Sequence, residues 1–119
     1  MTAVRVIVAV AWADAGAIRR ELAKLPAGTV VVHGDCAGAD ALAGEIATEL
    51  GFAVEPMAKN AADRVRYGRV AWKGLNERML LSGADLVLVF HPDFEASNGS
   101  KHVAELAERA GTEVRVFAA

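Results

Sequence analysis

The chain has one cysteine, Cys36, and only 6% aromatic residues among its 119 positions. A lone thiol makes no internal disulfide, which fits a reducing, cytoplasmic setting. There is also no excess of one charge: 13 Lys and Arg stand against 15 Asp and Glu, for a formal −2. The broad positive field with which duplex-binding proteins displace counterions is therefore missing, and sparse aromatics offer few platforms for single strands, so nucleic acid is a disfavoured partner. The apolar segment Met1 to Ala11 is too short to span a bilayer and lacks a basic flank and a clear cleavage site; it predicts a first strand, and no membrane partner is expected. His33, His91 and His102 lack an H-x-x-x-H spacing, so no metal site is expected. There is no Walker lysine, no G-x-G-x-x-G after the first strand, no G-x-S-x-G elbow and no C-x-x-C pair. Asn98-Gly99-Ser100 has the form of a glycosylation sequon, and with no secretion signal expected the match is expected to be chance.

What is present is apolar residue in quantity, 54% of the chain, enough for one core in a single domain over 1–119. Val4 to Ala11 is a near-continuous apolar run, the pattern of a strand buried on both faces. Asp14 is placed to cap a helix carrying Ile18, Leu22 and Leu25 on one side, which Pro26 stops. Thr29 to Val32 predicts a second strand. A helix from about Gly38 to Leu50, with Leu42, Ala43, Ile46, Ala47 and Leu50 inward, ends at Gly51, free to take the left-handed cap. Phe52 to Met57 predicts a third strand. Ala58 to Tyr67 has no apolar period and is expected to be a surface loop. Gly68 to Leu81 is helical by period, Asp85 to Phe90 is a buried strand, Gly99 to Ala110 a helix and Glu113 to Phe117 a closing strand. Five strands alternating with four helices, joined by right-handed crossovers, predict an α/β Rossmann-like domain: a parallel sheet in the order 3-2-1-4-5 with helices on both faces.

In such sheets ligands sit beyond the carboxyl ends of the strands, at the switch in winding direction. Two loops there are shaped for an anion. In His33-Gly34-Asp35-Cys36-Ala37-Gly38-Ala39-Asp40, the small residues Gly34, Ala37 and Gly38 let backbone N–H groups approach a phosphate at a helix N-terminus, and Asp40 is suited to a ribose hydroxyl or to capping. The second loop supplies the amides and hydroxyls of Ser97, Asn98, Gly99 and Ser100, with Lys101 adding charge. The bland alternative, that both are ordinary turns and caps, is weakened by their falling at the same sheet edge. Cys36 near a positive helix end is only secondarily a nucleophile. Trp12, at the end of strand one, is suited equally to stacking on a base and to packing on the first helix. Arg64, Arg69 and Arg78 could reach a phosphate, although exposed arginines are usually only solvated. Trp72 is expected in the core or in a subunit contact rather than on a ligand.

Four blocks carry a resemblance: His33 to Ala43; Gly68-Arg69 leading to Asn76-Glu77-Arg78-Met79-Leu80; Ala84 to Phe90; and Ser97-Asn98-Gly99-Ser100. In order and spacing the chain resembles the YspA-like branch of the SLOG superfamily, which joins the DNA-processing protein Smf/DprA to the LOG phosphoribohydrolases. The resemblance implies a compact Rossmann-like domain that holds a nucleotide or nucleotide derivative, as a sensor in many members and as an enzyme in some. The sequence departs from that pattern in places. Ala11-Trp12-Ala13 stands where members have Gly-Ser-Arg, the family's Arg-Asn pair is Leu75-Asn76, and Lys101-His102 follows Gly99-Ser100 where LOG enzymes carry a glutamate. Asn76 stays a candidate base or loop contact. With leucine for arginine and His102 for glutamate, both catalytic positions are vacant and no catalytic residue is assigned, because glycosidic cleavage needs charge stabilisation and an acid or base at the leaving group.

The expectation is thus non-catalytic binding, for sensing or sequestration, of a nucleotide-derived small molecule, with no cofactor. A LOG-type nucleoside-monophosphate phosphoribohydrolase, drawing an acid or base from Asp35, Asp40, Glu77, Asp93 or His102, is the alternative. Single-stranded DNA binding as in DprA stands behind it. Pairing through helices within the superfamily, and Val70 with Trp72 on the third expected helix, point to a homodimer or higher homo-oligomer.

Overall fold

The computed structural model describes residues 4–10, 14–35, 38–93, 95 and 97–117. Its strands are β1 (Arg5–Val10), β2 (Val30–His33), β3 (Ala53–Pro56), β4 (Leu86–Phe90) and β5 (Glu113–Phe117), and its helices are α1 (Ala15–Leu22), α2 (Ala39–Glu49), α3 (Ala61–Tyr67), α4 (Trp72–Leu81) and α5 (Gly99–Arg109). The strands form one all-parallel sheet in the order β3-β2-β1-β4-β5, as the alternation predicts.

The apolar runs of β1 and β4 arise because these central strands are covered on both sides. Val6, Val8, Val10, Leu86, Leu88 and Phe90 point to one face and pack with Ile18 and Leu22 of α1 and Ala43, Ile46 and Ala47 of α2. The alternate residues Ile7, Val87 and Val89 point to the other face, against Leu75 and Met79 of α4 and Val103 and Ala107 of α5. This is the two-residue period of a strand serving two helix layers. Phe90 is fully buried and stacks on Phe117, with ring centroids 5.0 Å apart.

Local signals behave as expected at two helix ends. Asp14 Oδ1 accepts from Ala17 N–H at 3.1 Å and starts α1. Gly51, at φ +88°, closes α2, and Phe52 N–H returns to Ala47 O at 3.0 Å.

The segment after β3 differs from the expected surface loop, and the described residues form five α-helices rather than four. α3 begins at a capping box: Asn60 Oδ1 accepts from Asp63 N–H and Asp63 Oδ2 accepts from Asn60 N–H, both at 2.9 Å. The one residue that α3 buries is Asp63, so no apolar stripe betrays it. What fastens α3 is polar. Arg78 of α4 donates through Nε to Asp63 Oδ1 at 3.2 Å and through its terminal nitrogen to Ala58 O at 2.6 Å, while the Tyr67 hydroxyl reaches Glu77 at 2.9 Å. The guanidinium, hydrogen-bonded to Asp63, holds that carboxyl below the usual carboxylate range. Arg78, expected as a possible phosphate contact, is thus committed to joining α3 to α4. The helix expected over 68–81 is likewise divided into a 3-10 turn, Gly68–Val70, followed by α4.

At the N-terminal end of the sheet Arg5 gathers several elements. Its backbone N–H donates to Asp85 Oδ2 at 2.8 Å, and its guanidinium donates to Ser82 Oγ at 3.0 Å and to Glu55. Among the described residues no helix is long and apolar enough to cross a membrane.

Candidate functional site

The chain winds from β1 outward through β2 to β3, then crosses to β4 on the other side of β1. The register sets Val10 level with Phe90 and Val8 level with His33, so the carboxyl ends of β1, β2 and β4 lie side by side. Beside them opens a cleft of about 360 Å3, lined by Val8 to Val10.

One wall comes from β2 and α2. Gly34 passes so close to α2 that a Cβ there would lie 3.1 Å from Asp40 Oδ2 and 3.4 Å from Leu75 Cδ2. Any side chain there would have to push the Asp40 carboxylate aside by a few tenths of an ångström. Asp40 is only 6% exposed and, with Asp35, lines the cleft. Asp35 receives Lys59 twice, from the ammonium at 2.8 Å and from the backbone N–H at 3.0 Å. Partial burial works to raise the Asp35 carboxyl, but these hydrogen bonds and the Lys59 charge outweigh it and hold the group below its ordinary value.

The facing wall is α4 and the start of α5. Ser97, Asn98, Gly99 and Ser100 border the cleft where α5 begins, and Ser97 Oγ accepts from Lys101 N–H at 3.2 Å. Asn76, 7% exposed, donates from Nδ2 to Gly99 O and to His102 Nδ1, each at 3.1 Å. A carbonyl only accepts, so Nδ2 must face Gly99, and Nδ1 of His102 must then carry no proton. Burial first, and the neighbouring Lys73 second, hold His102 below its ordinary 6.5, in agreement with that neutral ring.

This neutrality has a measurable consequence. The unfolded chain takes up a proton at the ordinary histidine value, whereas the folded chain resists it to lower pH. The unfolded state therefore binds more protons, and stability falls as pH drops from the ordinary histidine value through the lower folded one. Urea melts at pH 7 and pH 5 are expected to show this loss and His102→Gln to reduce it; an unchanged pH slope in the variant would refute the assignment.

The cleft unites most of the residues singled out in the sequence: Gly34, Asp35, Asp40, Asn76, Ser97, Asn98, Gly99 and Ser100 all line it. Lys101 does not, because its ammonium pairs with Glu95 at 3.1 Å on the surface. Lys59, from the segment expected to be loop, lines the cleft instead. Gly38 forms the N-cap of α2 and Arg69 is exposed on the 3-10 turn, and neither borders the cleft. Cys36, Ala37 and Trp12 lie outside the described residues. Two ring side chains also line the cleft without having been anticipated as ligand contacts. His91 accepts from Asp93 N–H through Nδ1 at 2.9 Å. Trp72, expected in the core or a subunit contact, is half-buried in the cleft wall.

No family model matches the chain. It is 36% identical over 104 residues to the Gene 61 protein of Mycobacterium phage D29, an alignment covering 85% of this chain and 81% of the phage protein. The chain belongs to the Gene 61 protein family. In this Gene 61-family chain, Leu75 contributes an apolar side chain to the cleft, and His102 is engaged by Asn76 rather than lining it.

Proposed function

We propose that the cleft binds the phosphoryl group of a nucleotide or nucleotide-derived small molecule and holds it unchanged, as a sensor or a sequestering protein. The observation that carries this reading is the meeting of the first turn of α5, the Gly34–Asp35 loop and Lys59 at one switch point of a parallel sheet. The first amides of a helix point along its axis without intrahelical acceptors, which favours an anion there. Ser97 and Ser100 add hydroxyls, and the volume lies near the lower end of the range for small-molecule sites, suited to a mononucleotide. The resemblance to the SLOG superfamily supports the same class of ligand.

Turnover is disfavoured by the chemistry of the walls. Leucine at position 75 gives no charge to an oxocarbenium-like state, and the neutral His102 spends Nδ1 on Asn76. Asp35 and Asp40 are the carboxylates of the cleft from which a hydrolase would have to draw its acid or base.

Native mass spectrometry of the freshly purified protein, followed by incubation with a panel of nucleoside monophosphates and chromatography, tests the reading. Retained, intact nucleotide is the expected result. Free base in the eluate establishes the hydrolase instead, and no adduct with any monophosphate at millimolar concentration removes the proposal. The same spectrum counts subunits. A homodimer is part of this reading, supported by Val65 of α3 and Leu81 of α4, 88% and 85% exposed.

A further inference from the structure

The geometry points to Trp72 as the surface on which the ligand's aromatic base lies, with Asn76 selecting bases that carry an exocyclic amino group. This rests on the nucleotide reading above and narrows it.

Trp72 is a large ring in the cleft wall, and it touches two groups that do not line the cleft. The His102 ring meets it at 81° with centroids 5.4 Å apart, and the Lys73 ammonium lies 5.8 Å from the indole centroid. Neither His102 nor Lys73 lines the cleft, so these two contacts leave the cleft side of Trp72 to a ligand. An indole offers a large rigid surface with only two side-chain torsions to fix when a second aromatic ring is laid on it. Along the same face of α4, Leu75 and Met79 continue the wall as apolar surface. A planar, weakly hydrated base suits that wall, while a sugar phosphate alone leaves it uncovered.

Asn76, four residues beyond Trp72, is the polar group on this stretch of α4. Side chains so spaced on a helix are neighbours. Both N–H groups of its amide are spent, on Gly99 O and His102 Nδ1. Among the described residues Oδ1 holds no hydrogen bond, so the capacity that Asn76 retains toward the cleft is as an acceptor. An acceptor at the edge of the stacked base favours an amino group, as on adenine or cytosine. It disfavours the keto oxygen that stands in its place on hypoxanthine or uracil, because two acceptors face each other there.

Calorimetric titration with AMP, IMP and ribose 5-phosphate tests both parts. AMP is expected to bind roughly ten- to hundredfold more tightly than ribose 5-phosphate, and about tenfold more tightly than IMP. Trp72→Leu should bring AMP down to the affinity of ribose 5-phosphate without changing the latter, whereas Trp72→Phe, which keeps a ring, should retain most of the preference. Circular dichroism confirms that the variants fold. Equal binding of AMP and ribose 5-phosphate to the unaltered protein, or equal weakening of both by Trp72→Leu, overturns the stacking role. Equal binding of AMP and IMP overturns the role of Asn76. Binding of ribose 5-phosphate with no gain from any base leaves the anion site standing and removes this inference, whereas failure of all three ligands removes the nucleotide reading with it.

Discussion

Gly99→Asp is expected to leave the protein as stable as before, or more stable by about 0.5–1 kcal/mol, while weakening nucleotide binding by roughly a hundredfold or more. The two effects have opposite signs for one reason. A carboxylate in the first turn of α5 meets the positive end of the helix, as an anionic ligand would, and so favours the fold. Nothing obstructs the change, since a Cβ at Gly99 would find no atom within 4 Å, and Gly99 has no positive φ. Gly99 lines the cleft, however, so the new charge stands where the phosphoryl group is proposed to sit. Like charges about 4 Å apart near a protein surface repel by about 4 kcal/mol at an effective dielectric constant of 20, more than the hundredfold loss requires. Gly99→Asn, similar in shape without the charge, should lose far less. Thermal melts and calorimetry on the pair check the prediction, and a Gly99→Asp protein that binds nucleotide normally would place the phosphate elsewhere.

Gly74→Ala should be destabilising by about 1–2 kcal/mol, a fall in Tm of roughly 5–10 °C. On an open helix the same change would stabilise by up to about 1 kcal/mol, because alanine is the better helix former. The sign is reversed here by α3. A Cβ on Gly74 would lie 2.4 Å from Asp63 Oδ1 and 2.8 Å from its Cγ, closer than real atoms approach. Asp63 cannot simply swing away, because the same carboxylate completes the capping box of α3 and receives Arg78. In an Asp63→Ala background the obstruction is gone, and Gly74→Ala should then be neutral or stabilising. A double-mutant cycle by urea denaturation reads this reversal directly. Additive losses in the cycle would mean that Gly74 is required for some reason other than the closeness of Asp63.

The fold was largely legible in the sequence, and α3 shows where legibility ends. β1 and β4 announce themselves because burial on both faces leaves no polar alternation, and the two-layer arrangement follows from strands alternating with amphipathic helices. α3 is held by Asp63, Arg78 and Tyr67, and polar fastening has no period; its one local signature was the Asn60-x-x-Asp63 box. The cleft followed the same division. Gly34, Asp40 and the Ser97 to Ser100 segment could be found because loops after parallel strands converge by topology. Trp72 could not, since Leu75 and Met79 share its face of α4, and an apolar face reads identically whether it meets a core or an empty space. That Lys101 lies off the cleft was not legible because Glu95, which pairs with it, is a surface neighbour without any pattern, while Lys59 comes from a stretch with no apolar period.

Arg5 and its partners Glu55, Ser82 and Asp85 bind β1, β3, the end of α4 and the approach to β4 at the pole opposite the cleft. The polar ties between strands and the lining of the cleft thus occupy separate ends of one small frame. Substitutions in the loops around the cleft leave untouched the foundation that keeps the strands in register.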